Sequence, residues 1–388
     1  MKSKISRRKF IQVAASSAPA LALAPTALPA APANTKDSFS FALLGDLHFD
    51  RPDHHDMVWL KENKPDDIRQ IENYCRVTKD IHPRLFATVR QTVSAANQGA
   101  SSPMPFVLHV GDLVEGLCGS DALARKQCEE AIAFVRQADL GAPFLFCKGN
   151  HDVTGPGAVD AYNQVLVPFV EQGVAKLKGD SNKLKPYYSF EHRDAFFAFF
   201  DAYDATASLA WLEAALAKRT ARHAFVVIHP PVVPYGARAT WHIFSSDKQK
   251  AQRTRLLELL GQNHAFVLGG HIHKYNTLVR QTDKGRFLQL AVSSIISAPE
   301  VKAKDVLQGV KDYTPEQIRV EPAFGKGTEE ARHAVIEAEK PFVKEFEYAD
   351  LPGYAVISVD GDKVRARIYP GLARTAWKTL ELSSLLRG

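Results

Sequence analysis

Seven side chains with oxygen or imidazole donors, Asp46, His48, Asp112, Asn150, His229, His271 and His273, stand in five short strings: GDLHFD from Gly45, GDLVEG from Gly111, GNHD from Gly149, HPP from His229 and GGHIH from Gly269. Carboxylate, carboxamide and imidazole together are the donors that a hard or borderline cation takes. Two such ions held close together repel, and an anionic group shared between them offsets the repulsion. Asp112 suits that shared place. Asp46 and His48 lie two apart at a strand exit, where the period of two would turn both to one side and let both serve one ion. The same parity is expected of His271 and His273. The glycines of these strings leave room for the backbone to approach an ion with no Cβ in the way.

Each string follows a short apolar run, FSFALL, PFVLHV, PFLFC, AFVVI or HAFVL. These runs are rich in aromatic and β-branched residues, so each is predicted to be a buried strand. In α/β sheets ligands gather beyond the carboxyl ends of strands, so the donors are expected to meet in one crevice. Leu85, Val89 and Val93 recur at helical spacing and predict a helix over 84–98, stopped by Gly99; a second fits 120–138 with Ser120 or Asp121 as its cap. With the strands, this makes a βαβαβ order. Further on, a hairpin is predicted over 187–191 and 195–200, helices over 209–218 and 248–260, and a strand over 286–292. A second hairpin, over 354–359 and 364–368, would turn across Asp360 and Gly361. The stretch 51–82, punctuated by Pro52, Pro65 and Pro83, reads as a polar insertion outside the core. The charged stretch 299–350 reads as a solvated excursion or a lid, and 371–388 as a tail.

The 388 residues, 45% apolar and 24% charged, hold enough apolar material for a sizeable core and exclude a disordered chain. SRRKFI over 6–11, an alanine-rich stretch to Leu28 and the small residues Ala31 and Ala33 around Pro32 read as a twin-arginine export signal over 1–33. That predicts a periplasmic or secreted protein and the export machinery as a partner. Pro19, Pro25 and Pro29 interrupt a stretch already short for a membrane span, so no stable anchor is expected. The net charge of +6 owes five units to Lys2, Lys4, Arg7, Arg8 and Lys9 in that signal. The remainder is near neutral, and no general attraction to nucleic acid or membrane follows. Of four cysteines, Cys147 reads as a buried thiol, while Cys75, Cys118 and Cys128 leave their pairing open.

The five strings, in this order, resemble the pattern of calcineurin-like metallophosphoesterases: D-x-H, G-D, G-N-H-D or G-N-H-E, a lone His, then G-H-x-H. The resemblance spans roughly Phe39 to Tyr369. It implies an α/β fold of two facing mixed β-sheets flanked by helices in four layers. It also implies two divalent or trivalent metal ions, Mn, Fe, Zn or similar. One would be held by Asp46, His48, Asp112 and His273, the other by Asp112, Asn150, His229 and His271. The activity implied is hydrolysis of a small-molecule phosphate mono- or diester by a hydroxide bridging the ions. His151 would protonate the leaving alkoxide, with Asp152 orienting its ring. Glu115, closing GDLVE where relatives differ, reads as an exposed turn residue or as a group that supports the ligands from behind. Arg238, Trp241 and His242, in the loop after HPP, are candidates for gripping the substrate phosphate or stacking on its leaving group. The alternative is a non-catalytic binding scaffold with a relict site, whose mark would be loss of a ligand residue; all seven are present.

Overall fold

The computed structural model describes residues 38–99, 102–179, 183–235, 240–317 and 328–388. These belong to one unit, Asn34–Gly388. The predicted export signal and Arg238 lie outside the described residues.

Fourteen strands follow one another among the described residues: β1 Phe39–Leu44, β2 Val107–His109, β3 Phe144–Phe146, β4 Tyr188–His192, β5 Ala195–Phe200, β6 His223–Ile228 and β7 Phe266–Gly269. Then come β8 Tyr275–Thr282, β9 Gly285–Ala291, β10 Lys304–Gln308, β11 Val343–Asp350, β12 Gly353–Asp360, β13 Lys363–Pro370 and β14 Lys378–Glu381. They form two mixed sheets, in the orders β14-β13-β12-β1-β2-β3 and β10-β11-β8-β9-β7-β6-β5-β4.

Strands β1, β2 and β3 run parallel, crossed over by the helices His82–Gln98 and Asp121–Gln137. Each helix has a local reason to begin where it does. Pro83 sits in the first turn, where its missing N–H costs nothing, and the Ser120 hydroxyl accepts from the Leu123 N–H, a cap worth about 1 kcal/mol. The AFFAFF run of β5 is buried on both faces because it lies in the middle layers. Phe197 and Phe199 join the core between the sheets, while Phe196, Ala198 and Phe200 pack with Leu209, Leu212 and Leu256 of the outer helices. Between the sheets, Phe197 stacks on Phe225 at 4.9 Å and meets Phe41 edge-on at 5.4 Å. The result is the expected α/β sandwich of two mixed sheets with helices outside.

Three segments are built differently from their composition. The stretch 51–82 contains the helices Met57–Asn63 and Ile68–Asp80, and the latter buries Ile71, Tyr74 and Val77 at helical spacing among its charges. It is therefore packed structure, with Val77 and Ile81 in the main core. Within 299–350, β11 pairs with β8 and β10 with β11, so the described part extends a sheet rather than forming a lid. Its charges occupy the solvent side of a strand whose Val343, Phe346 and Tyr348 are buried. Residues 318–327 lie outside the description. The expected tail supplies β14, paired with β13, and a helix, Leu382–Arg387, that buries Leu382 and Leu386. The late hairpin turns at Gly361 and Asp362, one residue on from expectation, because Asp360 still pairs with Lys363 and Gly361 takes a φ of 59°. All four thiols are free. No helix among the described residues is long and apolar enough to cross a membrane.

Candidate metal centre

The loops leaving β1, β2, β3, β6 and β7 carry the donors to one place. Donor atoms of Asp46, His48, Asp112 and His273 lie within 4.8 Å of one another, and so do those of Asp112, His229 and His271. Asp112 belongs to both groups. Asn150 joins the second, its Oδ1 lying 2.9 Å from His271 Nδ1 and 3.2 Å from His229 Nε2.

The convergence does not come from strand pleating. Asp46, His48, Asp112, His271 and His273 have φ of 52°, 48°, 56°, 71° and 60°, the left-handed region that non-glycine residues avoid. Such residues cost on the order of 1–3 kcal/mol each and persist only where the surroundings hold them. Here the Asp46 N–H donates to the Gly111 carbonyl at 3.1 Å and the His48 N–H to the Asp112 carbonyl at 2.9 Å. The parity expected of His271 and His273 accordingly fails, and the two rings go to different donor groups. Two glycines are required by close approach: a Cβ on Gly149 would stand 2.1 Å from Asp112 Oδ1, and one on Gly270 2.6 Å from Asp46 Oδ2.

Buried atoms here lack what a protein interior normally supplies. Asp46 Oδ2 and Asp112 Oδ2 accept no aligned hydrogen bond, although their residues are 0% and 1% exposed. An unsatisfied buried carboxylate oxygen is costly unless a cation faces it. The imidazoles are set to match. His48 Nδ1 is 2.6 Å from Glu115 Oε2 and His229 Nδ1 is 2.9 Å from the Val110 carbonyl, so each ring can spend its proton there. That leaves Nε2 of His48 facing Nε2 of His273 at 3.2 Å, and Nε2 of His229 facing Asp112 Oδ2 at 3.0 Å. Donor atoms gathered in this way fit two cations sharing Asp112.

Burial pushes the Asp46 carboxyl up to about 6, whereas Asp112 is held well below the carboxylate range because the surrounding His229 and His151 rings outweigh its burial. Burial opposes charge on His151 too, but the Glu115 and Asp112 carboxylates prevail and raise it to about 10.

Two neighbours of the donors differ from the sequence reading. Asp152 does not orient the His151 ring: its carboxylate accepts the backbone N–H groups of Asp112, Leu113, Val114 and Gly149 at 2.8–3.1 Å and so shapes the loops that carry the donors. The carboxylate beside His151 is Glu115, fully buried rather than exposed on a turn, with Oε2 3.2 Å from His151 Nδ1. The polar stretch also reaches the site, since Tyr74 stacks on His48 at 4.3 Å and Gln70 donates to Glu115 at 3.3 Å. Of the loop candidates, Trp241 meets His271 with ring centroids 5.0 Å apart. His242 is buried with Nδ1 on the Thr240 carbonyl, and its charged neighbours are Arg253, Glu339 and Arg280 rather than the donors. Tyr203, which nothing in the sequence singles out, brings its hydroxyl to 3.5 Å from Asn150 Oδ1.

A family model for calcineurin-like phosphoesterases matches residues 39–275, a span containing all five strings. No curated protein matches the chain by sequence. Among solved structures, a purple acid phosphatase isolated from yellow lupin (Lupinus luteus) seeds aligns at a TM-score of 0.50 and 12% identity, over 89% of this chain and 54% of its own. A dimetal phosphatase from Danio rerio aligns at 0.48 and 14%, over 88% and 98%. GAP50, the anchor in the inner membrane complex of Plasmodium, aligns at 0.47 and 16%, over 89% of each chain. At 12% identity the likeness to the lupin enzyme is one of fold alone. Membership rests on the family model, which runs through every donor string and more than half of the residues: the chain belongs to the calcineurin-like phosphoesterase family.

Proposed function

We propose that this protein is an exported hydrolase of phosphate mono- or diesters that works with two metal ions. The observation that carries the reading is the pair of buried oxygens without an aligned hydrogen bond, Asp46 Oδ2 and Asp112 Oδ2, among imidazoles of His48, His229 and His273 whose Nε2 atoms face the same cluster. Asp46, His48, Asp112 and His273 would hold one ion, and Asp112, Asn150, His229 and His271 the other. When bound, such a pair neutralises phosphoryl oxygens and acidifies the attacking water. The chain's own part is proton delivery and alignment. Glu115 holds His151 by its carboxylate and, at 2.8 Å, by its carbonyl, so Nδ1 is occupied and Nε2 is left to protonate the departing alkoxide. Asp152 keeps the backbone of Asp112 and Gly149 in place.

The experiment is metal analysis of the purified protein, followed by turnover of bis-4-nitrophenyl and 4-nitrophenyl phosphate by wild type, Asp112→Ala and His151→Ala. Two ions per chain and a loss of at least about 10²-fold in both variants are expected. Undiminished turnover in either variant overturns the assignment. Export by the twin-arginine route is supported by SRRKFI over 6–11. A double Arg7→Lys, Arg8→Lys substitution should leave the protein in the cytoplasm, and continued export would refute that route.

A further inference from the structure

The described residues expose three large aromatic side chains: Tyr203 at 37%, Trp241 at 43% and Phe342 at 42%. Phe342 lies under the Arg280 guanidinium, 4.7 Å from its ring. The other two have no such cover among the described residues, and both touch the same donor pair. Trp241 leans on His271 with centroids 5.0 Å apart and planes at 53°, while the Tyr203 hydroxyl stands 3.5 Å from Asn150 Oδ1; His271 and Asn150 are themselves 2.9 Å apart. Two aromatic residues from separate elements, the turn after β5 and the loop after β6, thus border one side of the candidate centre.

Tyr203 is held there. The Asp201 carboxylate accepts the Tyr203 and Asp204 N–H groups at 2.9 and 3.3 Å, and its other oxygen takes the buried Lys148 ammonium at 2.6 Å. Lys148 immediately precedes Gly149 and Asn150, so one buried ion pair fixes the distance between the ring and the donor loop. A rigid aromatic ring left open to water beside a polar centre suits a planar, apolar group brought by a ligand.

Resting on the phosphoesterase reading above, we infer that Tyr203 and Trp241 bind the organic group of the ester and select substrates in which that group carries a planar ring, either a nucleobase or an aryl group. Stacking of a base on one aromatic side chain alters affinity by about tenfold or more.

The test uses the metal-loaded protein and two pairs of substrates, each pair sharing the type of leaving alkoxide: adenosine 5′-monophosphate against ribose 5-phosphate, and benzyl against n-butyl phosphate. At least about tenfold higher kcat/KM is expected for the ring-bearing member of at least one pair, and the pair that shows it distinguishes nucleobase from aryl. Trp241→Ala and Tyr203→Ala should each lower that preference about fivefold or more, with Trp241→Phe and Tyr203→Phe retaining most of it. In parallel, adenosine 5′-monophosphate and benzyl phosphate should quench the tryptophan fluorescence of the wild type more than of Trp241→Phe. Turnover without preference for a ring in either pair overturns this inference and leaves the hydrolase reading intact. Ring-dependent quenching without turnover of any ester sinks the hydrolase reading and supports the aromatic site.

Discussion

Glu115 grips His151 twice, with its carboxylate 3.2 Å and its carbonyl 2.8 Å from the same Nδ1, and the same carboxylate reaches His48 Nδ1 at 2.6 Å. One buried residue therefore sets the orientation of a candidate ligand and of the candidate proton donor. Its charge, with that of Asp112, is what keeps His151 protonated against burial.

Glu115→Gln keeps the shape and removes the charge. Turnover should fall about 10- to 100-fold, mostly in kcat with KM within about threefold, and metal content should fall as well because the partner that orients His48 loses its negative charge. Steady-state kinetics with elemental analysis checks this. A change confined to KM would show that Glu115 acts on substrate binding instead.

Gly270→Ala tests the cradle without touching a ligand. The added methyl would press on Asp46 Oδ2 at 2.6 Å and on Val110 Cγ2 at 3.0 Å. Metal content and turnover are expected to drop together, by at least about tenfold in turnover. Full metal occupancy in the folded variant would mean that Asp46 is not held as tightly as the structure indicates.

The Lys148–Asp201 pair is buried, with side chains 9% and 2% exposed. Lys148→Met should destabilise by about 3–5 kcal/mol, because it strands the Asp201 charge, and adding Asp201→Asn should recover part of the loss. Urea unfolding of the single and double variants measures it. A single-variant cost under about 1 kcal/mol would remove this pair as the anchor of the Tyr203 turn.

His82 is fully buried beside Phe134, and neither ring nitrogen has an aligned hydrogen-bond partner. Burial and the nearby His48 lower it from 6.5 to about 3, with only a weak offset from the Leu47 backbone. Protonation is therefore easier in the unfolded chain. The stability contribution is whole above about pH 6.5 and drains away as pH falls toward 3, amounting to about 2 kcal/mol by pH 5. His82→Leu should flatten this decline, visible as a smaller difference between urea midpoints at pH 7 and pH 5. An unchanged difference would place the acid sensitivity elsewhere.

The five donor strings and the strands before them could be read directly, because apolar runs of β type need no partner to be recognised. The βαβαβ order followed from the spacing of Leu85, Val89 and Val93 and from Ser120. Strand β11 escaped notice because VKEFEYAD carries four charges, Lys344, Glu345, Glu347 and Asp350, around its buried Val343, Phe346 and Tyr348, and looks like a charged run until β8 supplies the other edge. Helix Ile68–Asp80 escaped because its buried stripe is narrow among many charges.

Sequence alone determined which residue types could hold cations and the order in which the chain presents them, since donor chemistry and strand propensity are local. Tertiary structure decided the rest. Left-handed turns sent His271 and His273 to different groups, and burial converted Glu115 from a turn residue into the carboxylate beside His151, while Asp152 was spent on backbone amides. Tyr203 came beside Asn150 only through an ion pair between residues 53 positions apart. Contacts of that kind depend on the packing of two sheets, which no local pattern encodes.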